Sequence, residues 1–266
     1  MNNLIFLKLG GSLITDKDQV RSARFQLISQ LAGEIRQALD QQPNLKLLIG
    51  HGSGSFGHYS SNHHKTIEGV QNPYQWLGFT QVWKDARDLN QIMIEALFKA
   101  NLPIIAFPPS AWVVTDNRQI LQTFNSPLTS ALDSGLIPVI QGDVIFDQRL
   151  GGTILSTEDL FFFLAANLHP RRILLAGIEP GVWESFPDRN HLILKITPGS
   201  LQQLDKAISG SSSIDVTGGM QKKVATMLEL LAFQPDLKIS IFSGLQPGAL
   251  SSALTGEFPG TTLCNQ

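Results

Sequence analysis

The sequence has little cysteine. The only one is Cys264, which rules out an internal disulfide and a cysteine-built metal site and suits a reducing compartment. It also lacks an excess of charge of one sign. Lys and Arg number 20, Asp and Glu 22, and the formal net charge is -2. No polybasic footprint exists, so nucleic acid is not expected as a partner. No apolar run approaches the ~20 residues needed to span a bilayer, and no basic stretch precedes the first apolar run, Leu4 to Leu7. The expectation is a soluble, cytoplasmic protein with no membrane partner. Two catalytic signatures are missing as well. No G-x-x-x-x-G-K-[ST] phosphate loop and no G-x-S-x-G nucleophile elbow occur.

What is present is enough apolar residue to bury a sizeable core, at 42% of 266 residues. Short apolar runs alternate with helical patterns. Leu4–Leu9, Leu45–Ile49, Pro103–Phe107, Leu136–Ile140, Arg172–Ala176 and Leu237–Phe242 read as buried strands. Phe25–Leu39, Tyr74–Ala100, Asn125–Asp133, Ser156–Leu168, Pro198–Ser209, Asp215–Phe233 and Pro247–Leu254 read as helices. Ile145–Ile154 has the look of a hairpin, His191–Ile196 of a short strand and Gly260–Leu263 of an edge strand. Residues 13–23 and 59–72 read as irregular, and the patch Gly210-Ser211-Ser212-Ser213 as mobile. The alternation predicts an α/β fold with a mostly parallel sheet and helices on both faces. A single domain over 1–266 is expected, with a lobe boundary near residue 155.

The densest chemistry is Gly50-His51-Gly52-Ser53-Gly54-Ser55-Phe56-Gly57-His58, directly after an apolar strand. A bulk-free loop between a strand and a helix can wrap its N–H groups around a phosphate. Gly52, Gly54 and Gly57 also match the dinucleotide fingerprint, but no carboxylate follows ~20 residues on, where a ribose would need one. A second glycine turn, Gly10-Gly11-Ser12, follows the first strand. Both turns lie at strand C-termini and so face one crevice. Lys8 interrupts that strand, where it either meets phosphate oxygens or faces outward from an edge. His58 reads as a donor to an anionic acceptor, His51 as structural, His63 and His64 as solvated. Asp215-Val216-Thr217-Gly218-Gly219-Met220 with Lys223 reads as a further phosphate contact at a helix start, or as plain capping by Thr217. The apolar stripe over 76–97 is core, or else a greasy pocket for a substrate tail.

Taken together, Lys8-Leu9-Gly10-Gly11-Ser12 with Lys17, Gly52 to His58, Gly142-Asp143-Val144 and Asp215 to Lys223 resemble the amino acid kinase family. The ending Gly54-Ser55-Phe56-Gly57-His58 resembles its branch that acts on isopentenyl phosphate. The resemblance covers nearly the whole chain. It implies a three-layer α/β/α sandwich, a homodimer, and ATP-dependent phosphorylation of a small-molecule monophosphate with Mg²⁺ carried by the ATP phosphates. Lys8 would contact the transferring group and Lys17 stabilise the transition state. Gly10, Gly11 and Ser12 would offer amides to ATP. Ser53 and His58 would hold the acceptor phosphate, with Gly54 between the two substrates. Gly142 and Asp143 would line the acceptor side, and Gly181, Gly219 and Lys223 the nucleotide side. A related kinase for another phosphate or phosphonate, of the fosfomycin-kinase kind, and a weakly active binding protein of the same fold are the alternatives. Two segments depart from the family pattern, Gly177 to Trp183 and Ser156-Thr157-Glu158.

Overall fold

The computed structural model describes residues 3–185, 188–200 and 219–265. The chain enters through β1 (Leu4–Leu9), whose six residues are all buried. A one-turn helix α1 (Gly11–Ile14) follows, then α2 (Phe25–Gln41), β2 (Lys46–His51), α3 (Gly54–His64) and the long α4 (Pro73–Lys99). Next come β3 (Ile104–Ala106), β4 (Val113–Asp116), β5 (Gln119–Thr123), α5 (Ser126–Asp133) and β6 (Ile137–Gln141). The hairpin β7 (Asp143–Asp147) and β8 (Gly151–Leu155) leads into α6 (Thr157–Leu168) and β9 (Arg172–Gly177). Short strands β10 (Val182–Trp183), β11 (Leu192–Ile193) and β12 (Lys195–Ile196) precede the helix Gly219–Phe233. Strand β13 (Lys238–Ser243), the helix Ala249–Thr255 and β14 (Thr261–Leu263) complete the chain.

Eight strands form one sheet in the order β12-β14-β13-β9-β1-β2-β6-β3. Within it only the β13–β14 pairing is antiparallel. Because β1 is central and parallel to both neighbours, both of its faces must be covered, and its sequence is apolar on both. Ile5, Leu7 and Leu9 pack under α2, α4 and the helix Ala249–Thr255. Leu4 and Phe6 pack under α5, α6 and the helix Gly219–Phe233. The result is the expected three-layer α/β/α sandwich. A second sheet of four strands, β5-β4-β7-β8, lies beside it. On the large sheet, β2, β6 and β3 lie to one side of β1 and β9, β13, β14 and β12 to the other. The first group comes from before residue 155 and the second from after it.

Two expectations fail. Residues 59–64 are not irregular but continue α3, and Thr66–Glu68 adds a 3-10 turn. The glycines and polar residues of α3 hide its period. Its stability comes from packing, with Phe56 and Ser60 buried beneath it. Residues 13–23 begin with the end of α1, which was not expected, and continue as a loop closed at its base. Thr15 and Ala23 pair as an isolated antiparallel bridge, Asp16 N–H donates to the Ser22 carbonyl at 2.9 Å, and Arg24 N–H donates to the Ile14 carbonyl at 2.8 Å. The helix expected at 198–209, the 210–213 patch and residues 215–218 lie outside the described residues, apart from 198–200.

Candidate active site

The C-terminal ends of β1 and β2 bring the two glycine turns together. Gly10 N–H donates to the Ala176 carbonyl of β9 at 2.8 Å, and Gly52 N–H to the Leu9 carbonyl at 3.2 Å. A Cβ on Gly11 would stand 2.6 Å from the Gly54 nitrogen, so the backbones approach as closely as only glycine permits. Gly54 itself has φ +49°, and Thr15 locks the contact. The Thr15 hydroxyl donates to the Gly11 carbonyl at 2.7 Å and accepts from Ser55 N–H at 2.9 Å. Helix α6 is drawn against the same place. A Cβ on Gly50 would lie 2.5 Å from Thr157 Cγ2 and 2.6 Å from the Phe161 ring. The Thr157 hydroxyl and Gly142 N–H both donate to the His51 carbonyl, at 2.7 and 3.0 Å.

Charge collects in this crevice. Lys8 is 6% exposed, and its Nζ lies 2.7 Å from Glu158 Oε1. Glu158 sits in the first turn of α6, where the helix dipole favours a carboxylate. The cap of that helix is a box in which Ser156 and Asp159 serve each other's backbone N–H. Burial raises the Glu158 pKa, but the charges of Lys8 and Lys223 outweigh it and hold the carboxyl below its ordinary value. One carboxylate therefore pairs with Lys8 and feels the charge of Lys223, which the chain carries 215 positions further on. His58 keeps a solvent-facing side at the mouth. Partial desolvation lowers its pKa, and the charges of Lys17 and Lys8 lower it further, against an opposing effect of Glu158. His58 thus feels Lys17, Lys8 and Glu158, and Glu158 in turn feels Lys8 and Lys223.

Ser53 is the N-cap of α3 with its hydroxyl uncommitted to capping, and Gly57 must be glycine because Ser53 Cβ occupies the space beside it. Ser12 lies partly exposed on α1, and Gly219 opens the helix that carries Lys223. His51 is fully buried, with Nε2 3.0 Å from Asn90 Oδ1 and Nδ1 3.1 Å from the Gly52 carbonyl oxygen, and burial lowers its pKa. It is structural, as its strand-end position suggested. His63 stacks on Tyr59 and meets His64 edge-on. Gly181 is buried against β14, where a Cβ would lie 2.5 Å from Thr261 Oγ1, so its packing alone demands glycine.

The carboxylate that meets the lysines is Glu158, not Asp143. Asp143 is 2% exposed, with Oδ2 accepting from the Ser110 hydroxyl at 2.9 Å and Oδ1 from Val144 N–H at 2.9 Å. Burial pushes its carboxyl up to about 6 despite those donors. Sequence reasoning saw Glu158 only as part of a segment that departs from the family pattern. The available signal was its place in the first turn of a helix facing the glycine loops. Arg21 and Asp85, which clamp the segment carrying Lys17, left no signal in spacing or composition. Among the described residues no group of three or more His, Cys, Asp or Glu side chains could hold a metal ion. No helix among them is long and apolar enough to cross a membrane.

An α/β sandwich with lysines and glycine amides converging at the C-terminal ends of β1 and β2 defines a class, the phosphotransferases that work by holding two anions together. The sequence profile of the amino acid kinase family matches residues 3–242, and the chain belongs to that family. Isopentenyl phosphate kinase of Methanocaldococcus jannaschii is 32% identical over 266 residues, which are 98% of each chain. The isopentenyl phosphate kinase of Methanothermobacter thermautotrophicus is 32% identical over 264 residues, 96% of each chain. A crystal structure of isopentenyl phosphate kinase superposes with a TM-score of 0.83 at 28% identity, covering 98% of this chain and 99% of that one.

Proposed function

We propose that this chain transfers the γ-phosphoryl group of ATP to isopentenyl phosphate, giving isopentenyl diphosphate and ADP. The observation that carries this reading is the cleft itself. Three lysines and the amides of two touching glycine turns converge there, with His58 at the mouth. Relatives named for this activity, similar over nearly their whole length, supply the acceptor's identity.

An acceptor phosphate oxygen attacks the γ-phosphorus, and the bond from that phosphorus to the bridging oxygen of ADP breaks. The acceptor is already an anion near neutral pH, so no general base is needed. What the reaction needs is alignment and charge neutralisation. Gly11 and Ser12 offer amides to the ATP phosphates, while the Gly10 amide, bonded to the Ala176 carbonyl, fixes the turn that presents them. Lys8 meets the transferring group and Lys17 the charge that grows in the transition state. Glu158 holds the Lys8 ammonium in place and lends negative charge beside Lys223. Ser53 and His58 hold the acceptor phosphate, and Gly54 lies where the two substrates meet. Gly142 and Asp143 stand behind the acceptor side. Gly219 and Lys223 serve the nucleotide side, whereas buried Gly181 serves the packing against β14. Mg²⁺ would come with the ATP phosphates and neutralise part of their charge, since among the described residues no group of three or more His, Cys, Asp or Glu side chains could hold it.

The flank of β1 formed before residue 155 serves as the acceptor lobe, and the flank formed after it as the nucleotide lobe. An apolar cluster on the acceptor side fits a hydrocarbon tail. Phe79, Val82 and Val144 pack with Trp76, and the Phe146 ring lies 6.0 Å from that of Trp76 while half exposed. A small polar phosphonate gains nothing from such a wall. We further assign a cytoplasmic homodimer. β3 ends the large sheet, and Phe98, Ile105 and Leu136 are exposed around it, which suits a second copy.

The test is an ADP-release assay across a panel of prenyl monophosphates, other small monophosphates and phosphonates. Turnover fastest on isopentenyl phosphate is expected. Turnover on phosphonates but not on prenyl phosphates would assign the chain to the fosfomycin-kinase kind, and a folded protein with no turnover at all would make it a binding protein.

A further inference from the structure

We infer that Arg21 is a positioning residue for Lys17, clamping the segment that carries it against α3 and α4; this rests on the phosphoryl-transfer reading above. Arg21 adopts φ +57°, a left-handed conformation costly for a residue with a side chain, so something holds it there. Its guanidinium forks onto two carboxylates of α4, with Nη1 on Asp85 Oδ1 and Nη2 on Asp88 Oδ2. The group also lies over the Phe56 ring of α3, 5.2 Å from its centroid. Its backbone N–H donates to the Ser55 carbonyl at 3.3 Å, and Ser22 N–H donates to the Ser55 hydroxyl at 3.2 Å. Arg21 therefore joins three elements at one point: the lysine segment, the helix that begins at the glycine loop, and the helix behind it.

Asp85 explains why the clamp is strong. It is 4% exposed and inside α4, where a carboxylate needs a partner. Gln81 Nε2 supplies a hydrogen bond at 3.1 Å, but Arg21 supplies the charge. Asp88 is shared with Lys84, which donates to it at 2.8 Å. Donation by Lys84 and by Arg21 holds the Asp88 carboxyl below its ordinary value.

Lys17 needs such help. Its side chain is exposed, and among the described residues no hydrogen bond or ion pair fixes its ammonium. Its charge nevertheless reaches His58. The place of a long, free side chain is then set by its backbone. The base of the 15–23 segment closes without Arg21, through the Asp16–Ser22 and Arg24–Ile14 backbone bonds. The tip, where Lys17 sits, is tied down at Arg21 and Ser22. Loss of the fork should loosen the tip while leaving the base and the sheet intact.

The experiment is a double-mutant cycle. Arg21→Ala with Asp85→Asn removes the buried pair together, so that no lone carboxylate is left in α4. It is measured alone, on a Lys17→Met background, and beside Arg21→Lys, which keeps a charge for Asp85 but cannot bridge two carboxylates. The acceptor is whichever one the wild type turns over, so a wrong acceptor would sink the functional reading without touching the cycle. The paired variant should lower kcat by about 10- to 100-fold, with KM for both substrates changed far less. Arg21→Lys should fall between it and the wild type. On the Lys17→Met background the paired variant should cost less than about 2-fold, because the residue it positions is gone. The same factor with and without Lys17, or an unchanged kcat, would overturn the inference. Amide hydrogen exchange gives a reading independent of turnover. Residues 16–22 should lose protection in the paired variant while β1 keeps its own, and unchanged protection at 16–22 would equally overturn it.

Discussion

A lysine in an apolar strand is an anomaly that physics must resolve, and at Lys8 a single contact resolves it. The ammonium is nearly buried, and Glu158 at 2.7 Å makes that burial tolerable. Glu158→Gln should keep the shape but release Lys8, lowering kcat by about 10-fold or more with a smaller effect on acceptor KM. Wild-type kcat in that variant would mean that the pair only stabilises. His58→Ala should raise acceptor KM far more than ATP KM, and equal effects on both would remove His58 from the acceptor side. At this scale the sequence was legible wherever residue type alone carries the meaning. Lys8 stood out for being charged in an apolar run, and Gly11 and Gly54 for lacking a side chain. Glu158 and Arg21 were not legible, because their meaning lies in partners 150 and 64 positions away, Lys8 and Asp85.

Among the elements, the contact between α1 and α3 matters most, since it sets where both glycine turns lie. Gly54→Ala adds a methyl at positive φ and against the Thr15 side chain. It should cost about 1–3 kcal/mol in stability, and it should lower kcat/KM for both substrates by pushing the turns apart. An Ala variant with wild-type melting and kinetics would show the approach to be dispensable. Helix α6 offers the complementary case. Phe161 packs on Phe6 with ring centroids 5.1 Å apart and presses on Gly50, so the same helix fills the core and delivers Glu158 to the cleft. Long helices such as α2 and α4 were legible from their period. Helix α3 was not, because Gly54, Ser55, Gly57 and Asn62 are poor helix formers held by burial of Phe56.

Across the whole molecule, two buried aspartates pull stability in opposite directions with pH. At Asp147 burial pushes the carboxyl up, but N–H donors from Arg118, Leu150 and Asn117 and the Thr115 hydroxyl overcome it and hold the pKa at about 2. Its folded value lies below the ordinary 3.8, so its contribution is present above about pH 4 and is lost as pH falls toward 2. Asp143 is the reverse. Its folded value of about 6 lies above 3.8, so its contribution is full below about pH 4 and is lost as pH rises through 6. Denaturant melts of the wild type and Asp143→Asn should diverge between about pH 4 and 6, where only the wild type has the downward slope, and run parallel from there to pH 7. Curves parallel over the whole range would mean that Asp143 titrates normally. The order of the large sheet has a different consequence. Strand β1 is a seam, with one half of the chain on each side and the lysine at its tip common to both. On the proposed assignment of the two flanks, acceptor choice would be re-engineered, or would drift, in the part of the chain between α2 and α6, leaving both the turn at 10–12 and the strands after α6 unaltered.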